Sequence, residues 1–84
     1  MTNQQDPAAV ANYRFSVILE PQAEGGFTVL VPALPEVVTE GESEAEALTN
    51  AEEAIRAVLS YRRDHGIPIP ADAHPEIRQV SVAA

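Results

Sequence analysis

A single helix with signals at both ends, over residues 41–66, most constrains what this chain can fold into. Ser43 suits the N-cap, and Glu46, three residues later, is placed to reach back to the Ser43 backbone N–H. Gly66 suits the left-handed position that follows a helix, and Pro68 prevents the helix from continuing. The sequence therefore predicts one helix whose start and end are both defined.

One face of this helix is apolar and needs a covering surface. The stripe follows the helical period through Ala47, Leu48, Ala51, Ala54, Ile55, Val58, Leu59 and the stem of Arg62. A lone amphipathic helix is not a fold. The rest of the chain must supply the surface against which this stripe packs.

Four segments have the alternating apolar pattern of β-strands. They are residues 12–20, 27–31, 36–40 and 77–82. Gly25 and Gly26 permit the tight turn of a hairpin between the first two, and a proline-rich connector precedes the last. The predicted fold class is α+β: a two-layer β-β-β-α-β domain in which one helix covers one face of an antiparallel sheet.

The length of 84 residues allows one domain. Residues 1–11 are polar and aperiodic, which predicts a flexible N-terminal tail, and residues 12–84 form the single domain. A domain this small buries only about 60% of its unfolded surface, and the absence of cysteine excludes disulfides. We therefore expect a homo-oligomer, a dimer or a tetramer.

The net charge of −8 restricts the partners of this chain. Such a field repels nucleic-acid phosphates and anionic lipid, so we expect neither as a direct partner and favour a basic protein. No apolar run reaches the roughly 20 residues of a membrane span, and no signal peptide is visible. These features predict a cytoplasmic protein.

The sheet face away from the helix is of mixed character. Ile18 and Leu30 fall on that face in the predicted hairpin and can pair across it as an apolar spot. Scattered surface hydrophobes are common, whereas a subunit or partner interface would also place apolar side chains here. The sequence leaves both interpretations open.

The residues give no pattern of an enzyme, a metal site or a cofactor site. Asp72, His74 and Glu76 are the one set that can gather around a cation or serve an acid-dependent hydrolase, and solvated loop residues are the simpler interpretation. The serines lack a nucleophile motif. We predict a non-enzyme with neither cofactor nor metal.

Several short motifs follow one another over residues 13–70. They are Tyr-Arg-Phe-Ser-Val from residue 13, Gly-Phe-Thr-Val-Leu-Val-Pro from residue 26, Thr-Glu-Gly-Glu-Ser from residue 39, the Glu-Ala-rich helix, and its Gly-Ile-Pro-Ile-Pro ending. In this order they resemble the HicB-like antitoxin family, the UPF0150 group. The chain departs from the family pattern where Glu36 and Val37 replace a usual glycine and cysteine. No DNA-binding segment of the kind many members carry follows the helix.

The resemblance implies a partial ribonuclease-H-like fold and an antitoxin-type function. Such a protein neutralises a small basic HicA-type ribonuclease toxin by covering it. The acidic residues expected to contact the toxin are Glu36, Glu40, Glu42, Glu44 and Glu46. The alternative is an orphan HicB-like homo-oligomer with a structural or small-ligand-binding role and no toxin.

Overall fold

One long helix, α1, forms a complete layer of the structure and runs from Glu44 to Asp64. This computed structural model describes residues 12–84, so the tail predicted for residues 1–11 lies outside the described residues. The predicted helix is confirmed. The capping residues predicted from the sequence are found at both ends. At the start, one capping hydrogen bond involves a neighbouring residue, as described next.

At the N-terminus the Ser43 hydroxyl accepts a hydrogen bond of 3.1 Å from the Glu46 N–H, as a helix cap should. The Glu46 carboxylate reaches back to the Glu42 N–H at 2.8 Å, one residue earlier than the sequence predicts. At the C-terminus Gly66 takes a φ of 67°, and the Ile67 N–H donates to the Arg62 carbonyl at 2.7 Å. This is the glycine-dependent helix ending that leaves the last carbonyls satisfied.

Three antiparallel strands form the sheet, in the spatial order β1-β2-β3. The strands are β1 (Ile18–Pro21), β2 (Phe27–Leu30) and β3 (Val38–Gly41). The register places Leu19 opposite Val29, and Val29 opposite Thr39. The described residues therefore form an α+β domain with a β-β-β-α layout, which confirms the predicted class and the first four predicted elements.

Prolines and turns make the strands shorter than the sequence pattern suggests. Continuing the β1–β2 register would set Ser16 opposite Pro32, which has no N–H to donate, so the ladder ends before them. The start of β3 moves from residue 36 to 38 because the Val37 N–H donates to the Leu34 carbonyl at 2.9 Å in a tight turn.

The apolar stripe of α1 packs on the sheet through two buried clusters. The first contains Val29, Ala47 and Ala51, with Val17, Leu19 and Phe27 against them. The second contains Val31, Leu34 and Val37, with Phe15, Ala54, Ile55, Val58 and Leu59 against them. The turn residues Leu34 and Val37 are thus core residues that the strand and helix patterns did not identify.

The predicted fourth strand, residues 77–82, is not present in the described chain. Residues 67–84 contain neither helix nor strand, and the side chains of Ile77, Val80 and Val82 are at least 80% exposed. A β-strand exists only with a neighbour for its backbone groups, and this segment has none among residues 12–84. Its alternating pattern is that of a β-strand, but no strand within residues 12–84 pairs with it.

Candidate functional site

An acidic groove opens where the β1–β2 turn meets the start of α1. It has a volume of about 370 Å³, and its lining includes Gln22, Gly26, Glu40, Glu42, Glu46 and Asn50. The turn is closed by hydrogen bonds of 3.0 Å from Gln22 N–H to the Gly26 carbonyl and from Gly25 N–H to the Gln22 carbonyl. Gly25 and Gly26 have φ values of 102° and 83°, which side-chain-bearing residues rarely adopt.

A close backbone approach fixes the other wall of this groove. A Cβ atom on Gly41 would lie 2.3 Å from the Ala47 backbone nitrogen, so only glycine lets β3 meet α1 here. The Asn50 side chain adds a hydrogen bond of 2.8 Å to the Glu40 carbonyl. These two contacts hold the end of β3 beside the first turn of α1.

Three of the five predicted contact residues therefore come together. Glu40, Glu42 and Glu46 line the groove, and Glu44 lies in the same first helical turn. The Glu46 carboxylate is engaged as an acceptor for the Glu42 N–H, whereas within residues 12–84 no hydrogen bond involves the carboxylates of Glu40, Glu42 or Glu44. This end of the molecule concentrates negative charge at the positive end of the helix dipole.

Glu36, the fifth residue, does not line the groove and contacts a side chain from the last turn of α1. Its carboxylate accepts a hydrogen bond of 2.8 Å from Arg62, which also donates to the Pro68 carbonyl at 3.0 Å. The hydrogen bond from Arg62 lowers the pKa of the Glu36 carboxyl. Arg62 belongs to the last turn of α1, whereas Glu46 caps the first turn.

The face of the sheet away from α1 carries an apolar row. The register sets Ile18 opposite Leu30 and Leu30 opposite Val38. Their neighbours Leu19 and Val29 pack toward α1, so alternation points this row outward. Val38 is 61% exposed and is the third member of this row. The sequence analysis identified only Ile18 and Leu30.

The connector after α1 contains the acid that the sequence interpretation left unassigned. The Asp72 carboxylate accepts hydrogen bonds of 2.8 Å from both the N–H and the hydroxyl of Ser16. The bond from the Ser16 N–H, reinforced by the one from its hydroxyl, lowers the pKa of Asp72. No local pattern signals a contact between residues 56 positions apart, so sequence reasoning missed this one.

The other residues considered for chemistry are spread apart. The Glu76 carboxylate pairs with Arg78 at 2.6 Å, and the His65 ring stacks on Tyr61 with 4.0 Å between ring centroids. Within residues 12–84 no three histidine or acidic side chains are grouped as metal ligands. In the same part of the chain, no helix combines the length and apolar character needed to cross a membrane.

Comparison with known proteins adds a family. No protein-family model matches the sequence. The UPF0150 protein Ta0767 of Thermoplasma acidophilum is 41% identical over 64 residues, which cover 76% of this chain and 93% of that protein. The chain belongs to the UPF0150 family. The motifs over residues 13–70 were thus sufficient to identify the group.

Two HicB antitoxins align with this UPF0150 chain. Antitoxin HicB 1 of Photorhabdus laumondii is 43% identical over 63 residues, and Antitoxin HicB of Escherichia coli K12 is 30% identical over 74 residues. The alignments cover 73% and 83% of this chain but only 41% and 54% of the antitoxins. The HicB-like resemblance is therefore confirmed, and the UPF0150 chain spans about half the length of these antitoxins.

Proposed function

We propose that this protein is a HicB-like antitoxin-type binding protein that neutralises a small basic ribonuclease toxin of the HicA type by direct contact. The observation that carries the proposal is the alignment with two antitoxins at 43% and 30% identity over most of this chain. Their name supports a role in binding, and we infer that this chain acts without catalysis, in the cytoplasm where such a toxin would meet RNA.

The charge of the molecule supports a basic partner. The net charge is −8, and Glu40, Glu42 and Glu46 surround one groove. A concentrated acidic surface attracts a basic protein over several ångströms and orients it before contact, which raises the association rate more than the final affinity. The same surface repels nucleic acid, so we propose no direct nucleic-acid contact for residues 12–84.

We place the toxin contact at the acidic groove and the first turn of α1. Glu40, Glu42 and Glu44 offer unengaged carboxylates there, and Glu46 contributes charge while it caps the helix. Glu36 is a separate, second position, where Arg62 from the last turn of α1 already neutralises it locally.

Co-expression tests this function directly. The tagged protein is purified from its native cell at moderate salt, and the proteins that elute are identified by mass spectrometry. We expect a small basic protein to elute in stoichiometric amount. When that basic protein is expressed alone we expect growth arrest, and we expect co-expression of the present chain to relieve it. Recovery of the chain alone, together with no relief of arrest by a HicA-type toxin, would contradict the proposal.

An orphan HicB-like homo-oligomer is the second candidate. Ta0767 is matched over 93% of its length, and the name UPF0150 protein refers to no toxin and no activity. In either case we propose a dimer or tetramer, with Ile18 and Leu30 in a subunit contact. The apolar row, in which Ile18 and Leu30 are half-buried and Val38 is exposed, supports that contact because burying it removes apolar surface from water.

A further inference from the structure

The last residues of the chain form an arm without structural neighbours. We define the arm as residues 74–84, of which Ile77, Val80 and Val82 are 84%, 85% and 80% exposed. Val80 and Val82 are two residues apart, so an extended arm presents both on one face, while Gln79 lies on the other. A strand with three exposed β-branched residues is stable only when a sheet edge receives it.

The sheet has an open edge of the right kind at β1. The Gln22 N–H donates to the Gly26 carbonyl, so even-numbered residues of this strand turn their backbone groups toward β2. Odd-numbered residues then turn theirs outward. Phe15, Val17 and Leu19 all pack toward the core, which shows that this alternation continues before β1 begins. Within residues 12–84 no backbone hydrogen bond satisfies the outward groups of these three residues.

An apolar groove lies under this open edge. It has a volume of about 260 Å³ and is lined by Tyr13, Phe15, Val17, Leu48, Ala51 and Ile55, with Glu52 as its one charged neighbour. Leu48 belongs to the apolar stripe of α1 yet is 39% exposed, because the sheet ends before it can cover this part of the helix. One more strand beyond β1 would cover it.

The arm of the same chain starts on the β2 side of β1 and not at the open edge. Asp72 takes up the Ser16 N–H, an even-numbered group that points toward the β2 side. The connector is thereby tied at the inner side of β1, and the arm leaves from there. An arm from a second copy has no such restriction.

We propose that residues 77–82 of one copy add as a strand to the open β1 edge of a second copy, with Val80 and Val82 seated over the groove. A two-fold arrangement makes the exchange reciprocal and repeats the same contact twice. The arm has one arginine, Arg78, against one acid, Glu76, so it approaches a chain of charge −8 without adding acidic repulsion. The proposal concerns the copies of this chain alone and holds with or without a toxin.

Introduced cysteines test the exchange, because the chain contains none of its own. One copy carries Gln79→Cys, and a second copy of different tag length carries Arg14→Cys or Glu20→Cys, at the two ends of the proposed edge. All three side chains would lie on the face away from α1. After mild oxidation we expect a disulfide between the two differently tagged copies, and the favoured position reports the strand direction. Gln79→Cys with Glu53→Cys, on the exposed side of α1, is the matched control and should stay uncrosslinked.

A second measurement does not depend on which residues of the arm and the β1 edge face each other. Light scattering of the full chain should show a mass that halves in the double variant Val80→Asp/Val82→Asp, while Ser81→Asp on the opposite face keeps the wild-type mass. Circular dichroism should retain the signal of α1, because the arm packs on nothing in its own chain, and should lose only the strand signal of the released arm. The proposal is overturned if the two differently tagged copies form no disulfide and the mass of the valine double variant is also unchanged.

Discussion

Asp72 and Ser16 are joined by two hydrogen bonds of 2.8 Å across 56 residues of sequence. The carboxylate accepts from the Ser16 N–H, a backbone donor that lies beyond the end of the β1–β2 ladder. This contact satisfies that donor and ties the connector after α1 to the first strand.

The Asp72–Ser16 contact should make stability depend on pH. Because the pKa of Asp72 is lowered in the folded protein, its contribution is fully present above the ordinary value of 3.8 and is lost as pH falls through the lowered value. We expect Asp72→Asn to unfold at a lower temperature than wild type at pH 7, with a gap that narrows once pH falls below 3.8 and closes as pH falls through the lowered pKa of Asp72. Thermal unfolding across this range measures it, and Glu53→Gln serves as control. A gap that is constant with pH would contradict the assignment.

Gly41 should tolerate no side chain. Its added Cβ would lie 2.3 Å from the Ala47 nitrogen and 2.6 Å from the Ala47 Cα, so β3 and α1 would have to separate. We expect Gly41→Ala to lower the free energy of unfolding by about 2 kcal/mol or more, measured by urea denaturation. Gly66→Asn is the matched control, since asparagine tolerates the left-handed backbone and the site is open. Equal stability of the two variants would disprove the steric argument.

The Arg62–Glu36 ion pair should contribute little to stability. The arginine and glutamate side chains are 21% and 44% exposed, so water screens their attraction. A double-mutant cycle with Arg62→Met and Glu36→Gln should give a coupling energy of about 0.5 kcal/mol that falls in high salt. A coupling several times larger, insensitive to salt, would mean that the pair is shielded from solvent.

The acidic groove should determine the rate at which a basic toxin binds. Reversing Glu40, Glu42 and Glu44 to lysine should slow association at low salt by about tenfold or more relative to wild type. Reversing Glu20, Glu53 and Asp64 changes the net charge equally at other exposed sites and should have a smaller effect. In surface plasmon resonance, the association rates of the two triple variants should become equal as the salt concentration rises. Equal rates at low salt would remove the groove as the contact.

The outward apolar row should contribute to self-association. Leu30→Lys places a charge between Ile18 and Val38 and should lower the mass in light scattering without loss of secondary structure. Thr28→Lys, two register pairs along on the same face, is the control and should keep the wild-type mass. An unchanged mass in Leu30→Lys would leave this row as ordinary exposed surface.

Local signals in the sequence were sufficient to predict each helix or strand that depends on local contacts. Ser43 and Gly66 define the ends of α1 because capping bonds form within one helical turn, and alternation identified the three strands of the sheet. The family motifs carried the identification for the same reason, since they mark turns and caps at fixed spacing. The same signals could not give the strand ends, which depend on whether the opposite residue, such as Pro32, can donate a hydrogen bond.

Tertiary structure alone decided the long-range pairings. It paired Glu36 with Arg62 from the last turn of α1, whereas Glu40, Glu42 and Glu46 line a groove at the first turn. It joined Asp72 to Ser16 and left residues 77–82 without a neighbour. An alternating pattern specifies that a segment can be a strand, but only the position of another backbone edge determines whether, and on which copy, it becomes one.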